Sequence, residues 1–223
     1  MESIYGIKEP CRQRRFRSHK TTIKNGERLK KLVIASNNAK KRQEIAKILG
    51  ELGIEIVSSD ATAFVHVEED APDFAGNARK KAEAFAHANN LPALGDDSGL
   101  CVDALDGAPG IYSARFSGEG ANDAKNNAKL LELLADNDNR AAHFVCALHL
   151  AYPNGGSSLA CEGRVNGEIL VEAVGDSGFG YDPLFFSPEL GKAFASSSPE
   201  EKASISHRGR ALNMLAKKLK QAL

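Results

Sequence analysis

The sequence predicts an α/β protein with one mixed central β-sheet and helices on both faces. Short apolar runs of strand length recur at 32–35, 54–57, 141–151, 158–168 and 184–186. Between them lie stretches with apolar residues at helical spacing, at 39–49, 74–88, 123–134 and from about 206 onward. The two kinds do not alternate strictly, and two long runs adjoin across Pro153-Asn154-Gly155-Gly156, a hairpin signal. With 223 residues, 42% hydrophobic and 26% charged, the chain can bury a core as one large domain or two small lobes.

Taken in order, residues 1–30 read as a polar, Arg-rich extension without periodicity, flexible by expectation. Residues 1–31 hold ten Lys/Arg against three Asp/Glu, +7, so in a formally neutral chain the remainder carries −7. That balance argues against a large phosphate-tracking surface and hence against a stable nucleic-acid partner. Leu32-Val33-Ile34-Ala35 is a buried strand, Ser36-Asn37-Asn38-Ala39 a turn, and a helix follows with Ile45, Ile48, Leu49 and Leu52 on one face. Ile54-Glu55-Ile56-Val57 is a second strand. An acidic loop at 67–70 is closed by Pro72 and leads into a helix over 74–88 with Phe74, Ala78, Ala82, Phe85 and Ala86 inward. Residues 104–117 read as a Gly- and Pro-containing loop, and Asp123 as the cap of the next helix. After the hairpin come a glycine-rich loop at 175–183, a strand at 184–186 and a last helix opening near Ser206. Three of the four cysteines, Cys101, Cys146 and Cys161, sit in apolar strand-like runs and none makes a CxxC pair, which points to buried reduced thiols and a cytoplasmic setting. No apolar run reaches membrane-spanning length, and no hydrophobic region follows the basic start as a secretory signal requires.

Four stretches carry chemistry. In Leu94-Gly95-Asp96-Asp97-Ser98-Gly99-Leu100 two adjacent carboxylates sit between apolar runs, read as strand, turn, strand with the acids at the turn. Extended backbone sends neighbouring side chains to opposite sides, so one acid can face a hard cation or a water while the other braces the backbone. Ser36-Asn37-Asn38-Ala39-Lys40-Lys41 lies where a strand passes into a helix, whose unpaired N–H groups attract anions; an ordinary N-cap would use the same residues. Gly178-Phe179-Gly180-Tyr181-Asp182-Pro183 offers an aromatic plate beside flexible backbone, suited to a nucleobase or to filling the core beneath a loop. Ser206-His207-Arg208 puts cations in a helix's first turn, against the helix dipole; an anionic ligand or a tertiary carboxylate explains that equally, and Lys202 is close enough to join.

Together with the run from Leu105 to Phe116 (LDGAPGIYSARF), these stretches occur in an order that resembles the inosine triphosphate pyrophosphatase family, the dITP/XTP pyrophosphatases, over about residues 32–220. The resemblance implies a two-lobed catalytic domain over 31–223 with the cleft between lobes, a homodimer, and Mg²⁺-dependent conversion of dITP, ITP or XTP to the monophosphate and pyrophosphate. It assigns Ser36, Asn37, Asn38, Ala39, Lys40 and Lys41 to the phosphate-binding turn and Asp97 to proton acceptance and metal binding. Ser98, Lys202, His207 and Arg208 become substrate contacts, Phe179, Gly180, Tyr181 and Asp182 the base-binding loop, and Glu69 with Glu68 the acidic metal position. One departure stands out: the family's Glu-Asn-Ala is Gly76-Asn77-Ala78 here. A Maf-like nucleotide pyrophosphatase is a rival that GFGYDP and SHR disfavour. A non-catalytic nucleotide sensor is another, which Gly76 keeps open.

Overall fold

A computed structural model describes residues 29–221 apart from 52, 64, 156 and 157. Residues 1–28 of the basic extension therefore lie outside the described residues. The apolar run at 32–35 becomes the inner strand β1 (Lys31–Ala35), parallel to the short β2 (Glu55–Ile56) on one side and to β3 (Ala93–Val102) on the other. β4 (Ala141–Ala151) and β5 (Leu159–Ile169) form the expected hairpin, and β6 (Phe185–Ser187) and β7 (Lys192–Ala193) complete an antiparallel half. The mixed sheet has seven strands in the order β2-β1-β3-β4-β5-β6-β7, with β3 at the change from parallel to antiparallel pairing.

Period-2 alternation sorts the strand residues onto two faces. Leu32, Ile34, Leu94, Cys146, Leu148 and Leu150 meet Ile45 and Leu49 of α1 (Ala39–Gly50) and Leu212 and Leu215 of α5 (His207–Gln221). Val33, Ala35 and Ala93 meet Ala82, Phe85 and Ala86 of α2 (Phe74–Asn89) on the opposite face. A third cluster joins Leu100, Phe144, Val165, Phe185 and Phe194 to Leu130 of α3 (Asp123–Leu133).

The structure corrects two expectations. The acids do not sit at a turn, because β3 runs unbroken for 10 residues and pairs with β4 throughout. Its glycines allow close packing instead of a bend. A Cβ on Gly95 would lie 2.1 Å from the Ala78 carbonyl of α2, and one on Gly99 2.4 Å from the Gly110 carbonyl. The cap of α3 is Asn122, which accepts from the Lys125 N–H; Asp123 is the first helical residue. The last helix opens at His207, next to Ser206 as expected, and is preceded by a separate α4 (Pro199–Ile205) with a capping box between Ser198 and Glu201. Within 104–117 the chain also forms a 3₁₀ turn over Gly110–Arg115.

Candidate active site

Strand alternation gives Asp96 and Asp97 separate surroundings. Asp96 faces α1 and α5 and is fully buried. It accepts from Lys41 Nζ at 2.8 Å, Arg208 Nε at 2.9 Å, Ser98 Oγ at 3.3 Å and Cys146 Sγ at 3.2 Å. Burial pushes its pKa up, but the charges of Arg208 and then Lys41 outweigh burial and hold the carboxyl well below its ordinary range. Asp96 thus anchors both a cation of the phosphate turn and the arginine of the last helix. Within that turn Ser36 Oγ accepts from the Asn38 N–H and Asn38 Oδ1 caps α1 at the Lys41 N–H. Asn37, Asn38, Ala39 and Lys40 are exposed at the mouth of the helix.

Asp97 faces α2. Its Oδ1 accepts from Lys81 Nζ at 2.9 Å and its Oδ2 from Asn77 Nδ2 at 3.1 Å. Lys81 also donates to Glu69 Oε1 at 2.9 Å, so the two carboxylates converge on one ammonium. Burial raises the Asp97 pKa against the opposing Lys81 charge, leaving a carboxylate more basic than usual. Burial lowers the Lys81 pKa, but Asp97 and Glu69 outweigh it, so the amine stays protonated. Lys41 lies near enough for its charge to act on Asp97 as well as Asp96, so the two faces of β3 serve one neighbourhood.

Asp97 and Glu69 both accept from the Lys81 ammonium, and a hard divalent cation bound beside them would take oxygen donors from these two carboxylates and its other ligands from water and substrate phosphates. Among the described residues no group of three or more His, Cys, Asp or Glu is placed to hold a metal. Of the expected metal residues Glu68, Glu69 and Asp97, the structure brings Glu69 and Asp97 together at Lys81, while Glu68 is exposed. At Gly76 an added Cβ would lie 2.7 Å from the Ala71 Cβ, and the Gly76 N–H donates to the α2 cap, Asp73.

The glycine-rich loop lies against the Asp96 side. The Phe179 ring has Lys202 Nζ at 4.7 Å, Lys40 Nζ at 5.8 Å and the Arg208 guanidinium at 5.9 Å from its centroid. Lys202 donates to Asp182 at 2.6 Å and Glu44 at 3.3 Å, and Arg208 reaches Glu44 at 2.5 Å and Ser98 Oγ at 2.9 Å. The buried Asp182 in turn accepts from the Phe179 N–H, and Lys40 donates to the Gly178 carbonyl. Burial raises the Asp182 pKa despite Lys202. The Gly180 N–H donates to Asp123, its carbonyl accepts from Asn127, and the Tyr181 hydroxyl donates to the Ser113 carbonyl. His207 is stacked on Phe144, ring centroids 4.7 Å apart, with its Nδ1 buried and without a partner. Burial, then the charges of Arg208 and Lys202, holds its pKa well below the ordinary value, so the ring is neutral.

The cations that oppose the α5 dipole thus have tertiary carboxylates, Asp96 and Glu44, as partners. Ser98, Lys41, Phe179, Asp182, Lys202 and Arg208 come together as the motifs suggested. Glu44, Asn77 and Lys81 belong to the same network and escaped sequence reasoning; only their place on the inward turns of α1 and α2 marked them. Volume is no guide here: a cavity of about 540 Å³ between α1, β2 and the segment at 58–65 touches Ser36 and Asn37 but neither acid nor Phe179.

Paired acids and an anion-seeking helix start, arranged around a sheet where parallel and antiparallel strands meet, define an α/β enzyme of phosphate chemistry. The chain belongs to the Ham1 family, whose sequence model matches residues 32–218. A dITP/XTP pyrophosphatase of Desulforamulus reducens is 52% identical over 82% of this chain and 92% of its own length. Another, from Escherichia coli O157:H7, is 47% identical over 84% and 96%. Among solved structures, a HAM1 protein from Coxiella burnetii superposes with a TM-score of 0.79 at 40% identity, covering 86% of this chain and 99% of that one. The nucleoside-triphosphatase / dITP/XTP pyrophosphatase of Mycobacterium abscessus gives a TM-score of 0.67 at 41% identity over 83% and 97%.

Proposed function

We propose that this chain is a dITP/XTP pyrophosphatase, hydrolysing dITP, ITP and XTP between the α- and β-phosphates and releasing pyrophosphate. The observation that carries the chemistry is Asp97, a buried carboxylate of raised basicity beside Lys81 and Glu69, one residue from the anchor of the phosphate-side cations. The start of α1 and Lys41 bind the triphosphate, and Lys81 and Arg208 offset charge developing on its oxygens. Asp97 takes the proton of the water that attacks the α-phosphorus as pyrophosphate leaves. Asp97 and Glu69 would hold Mg²⁺, which supplies charge to the phosphate oxygens and acidity to a nearby water. The base stacks on Phe179. Arg208 has five N–H donors; its bonds to Asp96, Glu44 and Ser98 take four and leave one on Nη1 for a 6-keto oxygen. Adenine presents an amino group there and would leave a donor unpaired.

In this reading the cleft lies between two lobes of the one sheet, with α1 and the acid strand on one side and the 179–182 loop on the other. A cytoplasmic homodimer is the expected form; among the described residues no helix is long and apolar enough to cross a membrane. The test is a panel of dITP, ITP, XTP, ATP and GTP with and without Mg²⁺, phosphate being measured before and after added inorganic pyrophosphatase. Far higher kcat/KM on the first three, phosphate only after coupling, and loss of activity in EDTA are expected. Equal rates on ATP would remove the base specificity, and orthophosphate without coupling would remove the bond assignment. Binding without turnover would favour a nucleotide sensor.

A further inference from the structure

The 3₁₀ turn Gly110–Arg115 carries part of the family resemblance, yet none of its residues has a role in the reaction described above. Its contacts are unusual for a connecting segment. The turn rests directly on the acid strand, because Gly99 has no Cβ: one there would lie 2.4 Å from both the Gly110 carbonyl and Ser113 Oγ. Ser113 Oγ accepts from the Leu100 N–H at 2.9 Å and donates to the Gly110 carbonyl at 2.6 Å. The Ser113 carbonyl accepts from the Tyr181 hydroxyl of the base loop at 2.9 Å and from Asn126 Nδ2 at 3.3 Å. From the end of this fixed turn Arg115 reaches the acidic loop, donating from Nη2 to the main-chain carbonyl of Glu69 at 3.0 Å.

The acidic loop needs such a tie. Residues 65–72 form no helix or strand, and another hydrogen bond holding their main chain runs from the Ala71 N–H to Asn77 Oδ1. The carboxylate of Glu69 must nonetheless meet Lys81 beside Asp97. The ion pair between Arg115 and the Glu69 carboxylate, at 3.9 Å with the arginine side chain 44% exposed, adds little in water. The carbonyl bond is the stronger hold. Tyr112, an aromatic left 57% exposed, has its purpose here as well: its ring lies 5.1 Å from the Arg115 guanidinium and steadies it.

We propose that Arg115 is a positioning residue for the pyrophosphohydrolase reaction: from a turn locked to the acid strand and the base loop, it holds the Glu69 main chain so that the Glu69 carboxylate faces Asp97. The proposal rests on the reading that Glu69 and Asp97 hold the divalent cation. It explains why one short turn touches the acid strand, the acidic loop and the base loop at once.

The test compares the full chain with Arg115→Met, Arg115→Lys, Glu69→Gln and the double variant Arg115→Met/Glu69→Gln. The readouts are kcat and KM for dITP, Tm, and Mn²⁺ affinity by EPR in the presence of a non-hydrolysable α,β-methylene nucleotide. Groups that orient metal ligands are typically worth about 10-fold or more in metal affinity, so Arg115→Met should weaken Mn²⁺ binding and lower kcat by about that factor. KM should move less than about threefold, since the ties of the base loop to Ser113 and α3 are untouched. Arg115→Lys keeps a charge and a donor and should recover part of the loss; if Arg115→Met fails to fold, this variant must show an intermediate Mn²⁺ affinity. The double variant should bind Mn²⁺ no more weakly than Glu69→Gln alone. Unchanged Mn²⁺ affinity in Arg115→Met beside a weakened Glu69→Gln would overturn the proposal and leave the metal reading standing, as would additive losses in the double variant. Unchanged affinity in Glu69→Gln would overturn the metal reading of Glu69 itself, and this proposal with it.

Discussion

Replacing Asp96 by Asn would test the division of labour along β3. The substitution keeps shape and most hydrogen-bonding capacity but removes the charge that balances Arg208 and Lys41. Arg208 is 1% exposed, so it cannot turn to water for compensation. Breaking a buried ion pair by neutralising one partner costs about 3–5 kcal/mol. Glu44 still pairs with Arg208 and Lys41 is partly exposed, so the lower end, about 3 kcal/mol, is the expectation here. At about 2–4 °C per kcal/mol for a chain of this size, Tm should fall by about 6–12 °C. Ionic balance also sets the sign of the pH effect. The folded pKa of Asp96 is depressed, so its stabilisation is present above the unfolded carboxylate value and is lost as pH falls through the folded one. Asp96→Asn should therefore flatten the acid limb of stability. With both cations loosened, KM for dITP should rise more than kcat falls. Differential scanning fluorimetry from about pH 2 to 8, which spans the region below the unfolded carboxylate value, and steady-state kinetics at a temperature where the variant is folded would check this. A Tm within 2 °C of wild type and a KM within threefold would refute the claim that Asp96 is what fixes Lys41 and Arg208.

The neighbouring acid should behave in the opposite way. Asp97→Asn should lower kcat by about 100-fold or more with less effect on KM. Burial raises the folded pKa of Asp97, and ionising it costs stability as pH rises, so this variant should match or exceed the wild-type Tm at neutral pH; a clear loss of Tm would contradict that. In Gly95→Ala the new methyl would meet the Ala78 carbonyl, lifting the helix that carries Asn77 and Lys81; a loss of about 1–3 kcal/mol is expected in denaturant titrations, with kcat falling alongside. His207 is held neutral, so wild-type stability should decline as pH drops below about 6.5, the unfolded value, towards the depressed folded one; His207→Phe, compared by urea unfolding at pH 5 and 7, should reduce that decline. Lastly, a chain beginning at Leu29, which packs on the first core cluster, should keep the Tm and kcat of the full chain, and a deficit in either would assign the basic extension a structural or catalytic part.

Local features of the site were legible in the sequence, and long-range ones were not. The strand-to-helix turn at 36–41 and the pairing of the two long strands β4 and β5 each follow from residues within a few positions of one another, and the structure contains both. The opposed directions of Asp96 and Asp97 needed only extended backbone, which is why they hold even though the predicted turn proved to be straight strand. That error has one cause: glycine serves both a bend and a close contact, and a sequence does not say which. Gly95 and Gly99 serve contact with α2 and the 3₁₀ turn. The Ser198 and Glu201 capping box is a local signal for α4, legible in the residues as the opening of α5 near Ser206 is. Lys81 and Glu44 carried no such signal. A lysine and a glutamate on amphipathic helices look like solvated surface until the sheet brings Asp97 and Arg208 to them.

In the proposed reaction the two faces of β3 divide the chemistry. Binding a polyanion needs fixed positive charge, and fixed buried cations need a carboxylate that stays ionised; Asp96, held well below its ordinary pKa, meets that need on the α5 face. Accepting a proton needs the reverse, a carboxylate made more basic, and Asp97 has that property on the α2 face, where burial, helped by the Glu69 charge, outweighs Lys81 and the more distant Lys41. Two adjacent residues reach opposite pKa shifts because the sheet separates their hydrogen-bonding partners, two cations bonded to Asp96 and one to Asp97. The same separation explains the glycines. Both helices must come close to the strands for short side-chain contacts to form, and they do so at Gly95, under Ala78 of α2, and at Gly163 of β5, where a Cβ would lie 2.1 Å from the His207 carbonyl at the start of α5. Closing either gap with a methyl should therefore disturb one acid and spare the other. Gly163→Ala is expected to act on KM through Arg208, and Gly95→Ala on kcat through Lys81.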